Sequence, residues 1–163
     1  MDWNNKEEVL ERVKICGNNL YYANKRLQNN KEVVLEAVKK NGIALGFASK
    51  HLRNNKEVVL TAIKKNGIAL RYASKRLQDN KEVVFEAVKQ DERALVHASD
   101  RLRDNAEVVR EALKKDVYTI NYASERLQKD EDILKDIPKY IFADFQQYIF
   151  SHINKKRSHD EKA

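Results

Sequence analysis

The chain has 163 residues, 32 of them Lys or Arg against 25 Asp or Glu, for a formal net charge of +7 at pH 7. That length holds one domain with a sizeable core. A single cysteine excludes an internal disulfide and a cysteine-based metal site, and no apolar run approaches the length of a membrane span. The opening MDWNNKEEVL has neither the basic nor the apolar region of a secretory signal, so a cytoplasmic location is expected. Delivery of a secreted effector into a host cell is a route that needs no such signal and stays open.

A 25-residue unit organises the chain. Residues 5–29, 30–54, 55–79, 80–104 and 105–129 align without a gap, and a sixth copy starts at Asp130 and gives out after Ile137. A fixed period of this size is the signature of a solenoid, in which each unit buries its apolar face only against its neighbours. Charge is uneven along it: the first three copies carry +2, +3 and +4, the fourth −1 and the fifth +1. A basic N-terminal half points to an anionic partner or to a solvated lysine-rich face.

Within each copy the pattern predicts two short helices. The first opens at Asn4, Asn29, Asn54, Asp79 or Asp104, each followed three residues later by Glu7, Glu32, Glu57, Glu82 or Glu107, the spacing of a capping box. In the sixth copy that box is lost and Asp130 is the alternative cap. Val33, Val34, Leu35, Ala37 and Val38 cover a wide arc of the first helix, which calls for contact on two sides. Gly17, Gly42 and Gly67 then stop it in the left-handed conformation of a C-terminal cap. Cys16, beside the first of these, reads as a small packed thiol. The second helix is expected over residues 43–52, with Ala48 and its counterparts Ala23, Ala73, Ala98 and Ala123 marking a close helix crossing.

From Pro138 the pattern changes to Tyr140, Ile141, Phe142, Phe145, Tyr148, Ile149 and Ile153 at mostly helical spacing. This reads as a capping helix over residues 138–153 that covers the last repeat, which terminal units of solenoids need. Dimerisation through the same aromatic face is the alternative to the expected monomer. Residues 154–163 are polar and expected to be disordered. Trp3 is expected to pack onto the first helix. The expectation is thus an all-α solenoid of about five two-helix repeats, a partial sixth and a C-terminal cap, all within one domain over residues 1–153.

The string V-V-x-x-A-(V/I)-K-K-N-G-x-A-L-x-(Y/F)-A-S-x-x-L, carried by residues 33–52 and 58–77, resembles the short helical-repeat family catalogued as domain of unknown function 4116. The resemblance runs over about residues 5–129. Copies one and five depart from it, with Asn18 and Asn19, and Tyr118 and Thr119, in place of the usual apolar pair. It implies a helical-repeat fold and carries neither an activity nor functional residues.

Catalysis finds no support in the residues. Glycine-rich phosphate loops, metal-ligand spacings and a Ser/His/Asp set are absent, and His51, His97, His152 and His159 form no constellation. No enzyme, metal or cofactor is expected. Two surface rows remain. One pairs an aromatic with a base four residues on: Tyr22 with Arg26, Tyr72 with Arg76, Tyr122 with Arg126, and in altered form Phe47 with His51 and His97 with Arg101. Such an array suits either stacking on a single nucleic-acid strand or filling of the joint between repeats.

The other row varies between copies although its flanks do not. It comprises Asn18, Tyr21 and Lys25; Ile43, Gly46 and Lys50; Ile68, Arg71 and Lys75; Arg93, Val96 and Asp100; Tyr118, Asn121 and Glu125. Each triple lies within about 60° on a helix. Positions that hold the fold repeat and positions that meet a partner differ, so the expected protein-binding residues are Tyr21, Lys25, Gly46, Lys50, Arg71, Lys75, Val96, Asp100, Asn121 and Glu125. The alternative is single-stranded RNA or DNA bound by the basic copies through Arg26, Lys39, Lys40, Lys64, Lys65 and Arg76.

Overall fold

The computed structural model describes residues 2–137. Among them every regular element is helical. The first repeat holds α1 (Lys6–Ile15), η1 (Gly17–Tyr22) and α2 (Lys25–Gln28), η denoting a 3₁₀ helix. The second holds α3 (Lys31–Lys40), η2 (Gly42–Phe47) and α4 (Lys50–Arg53); the third α5 (Lys56–Lys65), η3 (Gly67–Tyr72) and α6 (Lys75–Gln78). Then come α7 (Lys81–Gln90), η4 (Glu92–His97) and α8 (Asp100–Arg103), followed by α9 (Ala106–Leu113), η5 (Val117–Tyr122) and η6 (Leu127–Lys129), and last α10 (Glu131–Leu134). Successive long helices pack side by side, as do successive 3₁₀ helices, and each long helix from α3 to α9 also rests on the 3₁₀ helix of the preceding repeat. The chain is therefore an all-α repeat solenoid.

The apolar pattern accounts for the packing. In the second repeat Val33, Val34, Ala37 and Val38 of α3, Ala44 and Leu45 of η2 and Leu52 of α4 are buried, and the same positions are buried in the third. The wide arc on the long helix serves neighbours on both sides, as expected.

Three expectations about how the helices begin, run and end are corrected. First, the cap lies one residue later. Asn30, Asn55, Asn80 and Asn105 accept from the backbone N–H of Val33, Val58, Val83 and Val108, while Asn5 accepts from those of Glu7 and Glu8. Glu32, Glu57, Glu82 and Glu107 miss the box and instead meet the preceding repeat, in the pairs Lys6–Glu32, Lys31–Glu57, Lys56–Glu82 and Lys81–Glu107. Asp130 does cap α10.

Second, the second helix is divided. Ala48 and Ser49 are extended, with ψ of 155° and 157°, and the Ser49 hydroxyl accepts from the Leu52 N–H to open α4. The Ser49 N–H leaves its own chain segment for the Gln28 carbonyl at 2.9 Å, and Ser74, Ser99 and Ser124 repeat the move to Arg53, Gln78 and Arg103. Ala48 thus closes a 3₁₀ helix and does not lie within a helix.

Third, none of the glycines has positive φ. Gly42 is required by proximity: a Cβ there would stand 2.2 Å from the Ala62 carbonyl oxygen of α5, and Gly17 faces Ala37 in the same way. The helix is ended instead by Asn41, extended at φ −145°, whose side chain accepts from the Ile43 N–H. Where Glu92 replaces the glycine, the helix opposite it, α9, has eight residues rather than ten.

The N-terminal residues imitate the end of a repeat. Trp3 offers its carbonyl to the Asn24 N–H, Asn4 accepts from the Asn24 amide and from Arg26, and the Trp3 ring meets Tyr22 with centroids 5.1 Å apart. Cys16 is exposed at the end of α1, not packed. The expected capping helix with Phe142, Phe145 and Ile149, and the tail beyond it, lie outside the described residues.

Candidate functional site

The variable row is carried by the 3₁₀ helices and the residue that opens each following short helix. Three residues per turn place i and i+3 in line. Asn18 and Tyr21, Ile43 and Gly46, Ile68 and Arg71, Arg93 and Val96, and Tyr118 and Asn121 therefore share a face, although by a different geometry from the α-helix expected. Packing of η1 to η5 in order joins these pairs from copy to copy. Lys25, Lys50, Lys75, Asp100 and Glu125 are exposed at the next bend, as are Arg71 and Asn121. Tyr21 is 61%, Val96 43% and Tyr118 55% exposed, high for apolar bodies in a chain whose core is closed.

Side chains meet along this row both within a copy and between neighbours. The Tyr21 ring stands edge-on to Phe47 at 5.3 Å, and the Arg71 guanidinium lies over Tyr72 at 5.0 Å. Gly46 brings its backbone against the Tyr72 ring, where a Cβ would come within 2.9 Å. In the fourth copy Arg93 pairs with Asp91, which holds the Asp91 carboxyl below its usual range. His97, at the end of η4, is half-buried. Burial first, and the charge of Arg71 second, hold its imidazole below the usual histidine value.

The aromatic and basic row divides differently. Arg76, Arg101 and Arg126 reach across the joint to Asn54, Asp79 and Asp104, each meeting both the side chain and the backbone carbonyl. Arg26 donates to the Asn4 carbonyl. Phe47, Tyr72 and Tyr122 rest partly buried on the core. Lys39 pairs with Glu36 and Lys114 with Glu111 in the last turns of their helices. Thr61 stands where those glutamates are, its hydroxyl donating to the Glu57 carbonyl. Lys40, Lys64 and Lys65 are exposed and without an ion pair among the described residues.

Two features escaped sequence reasoning. One is the set of joint acceptors, Asn29, Asn54, Asp79 and Asp104, each taking a hydrogen bond from the serine of the next copy. The other is an alternation at the end of the short helix: Gln28, Arg53, Gln78, Arg103, Gln128. The Gln28 amide donates to the Leu20 and Tyr21 carbonyls, Gln78 to those of Leu70 and Arg71, and Gln128 to those of Asn121 and Ala123. The arginines have no such use. The alternation was visible in the aligned copies and was its own signal.

Among the described residues no group of three His, Cys, Asp or Glu is placed to hold a metal ion, and no helix is long and apolar enough to cross a membrane. The family described as "Domain of unknown function (DUF4116)" matches residues 5–53, 30–78, 55–103, 80–128 and 105–137, in steps of one repeat. The chain belongs to that family. No curated protein and no solved structure matches it.

Proposed function

We propose that this DUF4116 repeat protein is a non-enzymatic scaffold that binds another protein along the row on its 3₁₀ helices. One observation carries the reading: the outward positions of η1 to η5, only partly exposed in η2, differ from copy to copy while the joints between them repeat. The row changes from Lys25, Lys50 and Lys75 to Asp100 and Glu125, which suits a partner with a matching bipolar surface better than a uniform polyanion. Its aromatic and arginine residues, Tyr21, Arg71 and Tyr118, are of the types enriched in protein interfaces.

Affinity capture from cell extract tests this when two variants run beside the wild type. Lys25→Glu with Arg71→Glu and Lys75→Glu should lose the bound proteins. Lys39→Glu, Lys40→Glu, Lys64→Glu and Lys65→Glu together should retain them. The reverse result would turn the reading to the second class, nucleic acid. That alternative draws on Lys40, Lys64 and Lys65, which have no carboxylate partner among the described residues. It requires affinity for a single-stranded pool that falls steeply with salt.

A further inference from the structure

The first and second copies flank an open cleft of about 510 Å³ lined by Tyr21, Lys25, Gly46, Phe47, Lys50 and Arg53 among others, with no carboxylate in its wall. Gly46 contributes only backbone to its wall, and a Cβ there would be aimed at the Tyr72 ring of the third copy.

The fourth copy supplies an internal comparison. Arg103 occupies the position of Arg53, and its Nη2 donates to Asp100 Oδ1 at 2.6 Å. In the second copy the residue at that acidic position is Lys50. Both arginines keep Nε shielded from solvent with no hydrogen-bond partner, but Arg103 is neutralised through its terminal nitrogen. Arg53 has neither a hydrogen bond nor an ion pair for its guanidinium among the described residues. Lys50 likewise has no ion pair, and Lys25 donates only to the Gln28 side chain. Asp100, itself 94% exposed, marks the solvent-facing mouth at which a carboxylate meets this arginine when the chain provides one.

We infer that this cleft receives a carboxylate side chain from an acidic segment of the protein partner, which takes at Arg53 the place that Asp100 takes at Arg103. The guanidinium fork matches a carboxylate through two parallel N–H donors. Lys25 and Lys50 supply further positive charge, and the Tyr21 and Phe47 rings offer an apolar wall for the flanking methylenes. This deepens the scaffold reading and rests on it: the row binds protein, and the cleft selects acidic sequence.

The test uses the full chain, a fluorescent Asp/Glu-rich peptide, its Asn/Gln counterpart of equal length, and a single-stranded oligonucleotide. Anisotropy should show binding of the acidic peptide alone. Arg53→Gln, the residue three other copies carry there, should weaken it roughly tenfold to a hundredfold, the loss of one charge-assisted pairing. Lys50→Asp restores the fourth-copy arrangement and should abolish binding by occupying Arg53 from within. Circular dichroism would establish that both variants fold. Equal affinity of wild type, Arg53→Gln and Lys50→Asp for the acidic peptide overturns the assignment. So does equal binding of the Asn/Gln peptide, or Arg53-dependent binding of the oligonucleotide alone. If the acidic peptide does not bind while row variants still abolish capture from extract, the cleft assignment fails and the protein-binding row stands.

Discussion

Arg101 crosses the joint between the third and fourth repeats to Asp79, its Nε 3.0 Å from Oδ1 and its Nη2 2.6 Å from the backbone carbonyl of the same residue. The Ser99 hydroxyl donates to that Oδ1 as well. Ser99 first and Arg101 second hold the Asp79 carboxyl below its usual range, and Ser124 and Arg126 do the same for Asp104. A carboxylate whose pKa is lowered by folding stabilises the fold above its ordinary value of 3.8 and loses that contribution as pH falls through the lower, folded value. The urea midpoint should therefore decline as pH drops below about 4. Asp79→Asn with Asp104→Asn should flatten part of that decline and leave the fold intact, since Asn29 and Asn54 already accept from Ser49 and Ser74. An unchanged acid slope in the double variant would refute the assignment.

The same joints mark the limit of what the sequence makes legible. The register, the all-α class and the buried Val, Ala and Leu positions follow from the period alone, because each long helix and each 3₁₀ helix packs on its equivalent in the next copy. The cap does not, since in Asn29–Asn30 either residue has cap chemistry and the choice is decided across the joint, where Ser49 needs an acceptor. The division of the second helix is hidden for a related reason. Ten residues fit one α-helix until the Ser49 N–H is seen to bond Gln28. Exposure of the variable row was readable from variation between copies. The pairing of Arg103 with Asp100, and its loss at Arg53, was not, because it depends on the short helix that the divided geometry creates.

Gly42 and Gly46 separate two kinds of small-residue requirement. A Cβ on Gly42 meets backbone, the Ala62 carbonyl at 2.2 Å, so α5 must shift to admit it. A Cβ on Gly46 meets the Tyr72 ring at 2.9 Å, and a side chain can turn away. Gly42→Ala should cost about 1–3 kcal/mol, as overpacking of a close contact does. Gly46→Ala should cost less. Urea denaturation of the two variants gives the comparison, and an equal or inverted order would show that the close approach of η2 to α5 is not required.

Surface pairing and core packing should differ sharply in weight. Lys56 and Glu82 meet at 2.6 Å but remain 42% and 63% exposed, so Lys56→Ala should alter stability by no more than about 1 kcal/mol. Leu70 is fully buried, and Leu70→Ala should cost roughly 2–5 kcal/mol. Thermal and urea unfolding of both variants checks the ranking. A Lys56 effect approaching that of Leu70 would mean that the ladder of Lys–Glu pairs, and not the core, holds successive repeats together.

Removal of the whole third repeat is the strongest test of the repeat architecture. Deleting residues 55–79 joins Asn54 to Asn80 and brings the fourth repeat onto the second. Each joint contact then finds a residue already used for it: Ser99 meets the Arg53 carbonyl and the Asn54 side chain, as Ser74 does now. Arg101 meets Asn54 in place of Arg76, Lys31 meets Glu82 in place of Glu57, and Gly42 faces Ala87 in place of Ala62. Nothing polar is orphaned and no core residue loses its counterpart. The shortened chain should keep its helical circular dichroism per residue and unfold cooperatively at a lower temperature, because one repeat and one interface have been subtracted. Isolated ten-residue helices are marginal in water, so a failure of these joints would appear as loss of helicity throughout. An unfolded spectrum at low temperature would show that the third repeat makes contacts its neighbours cannot replace.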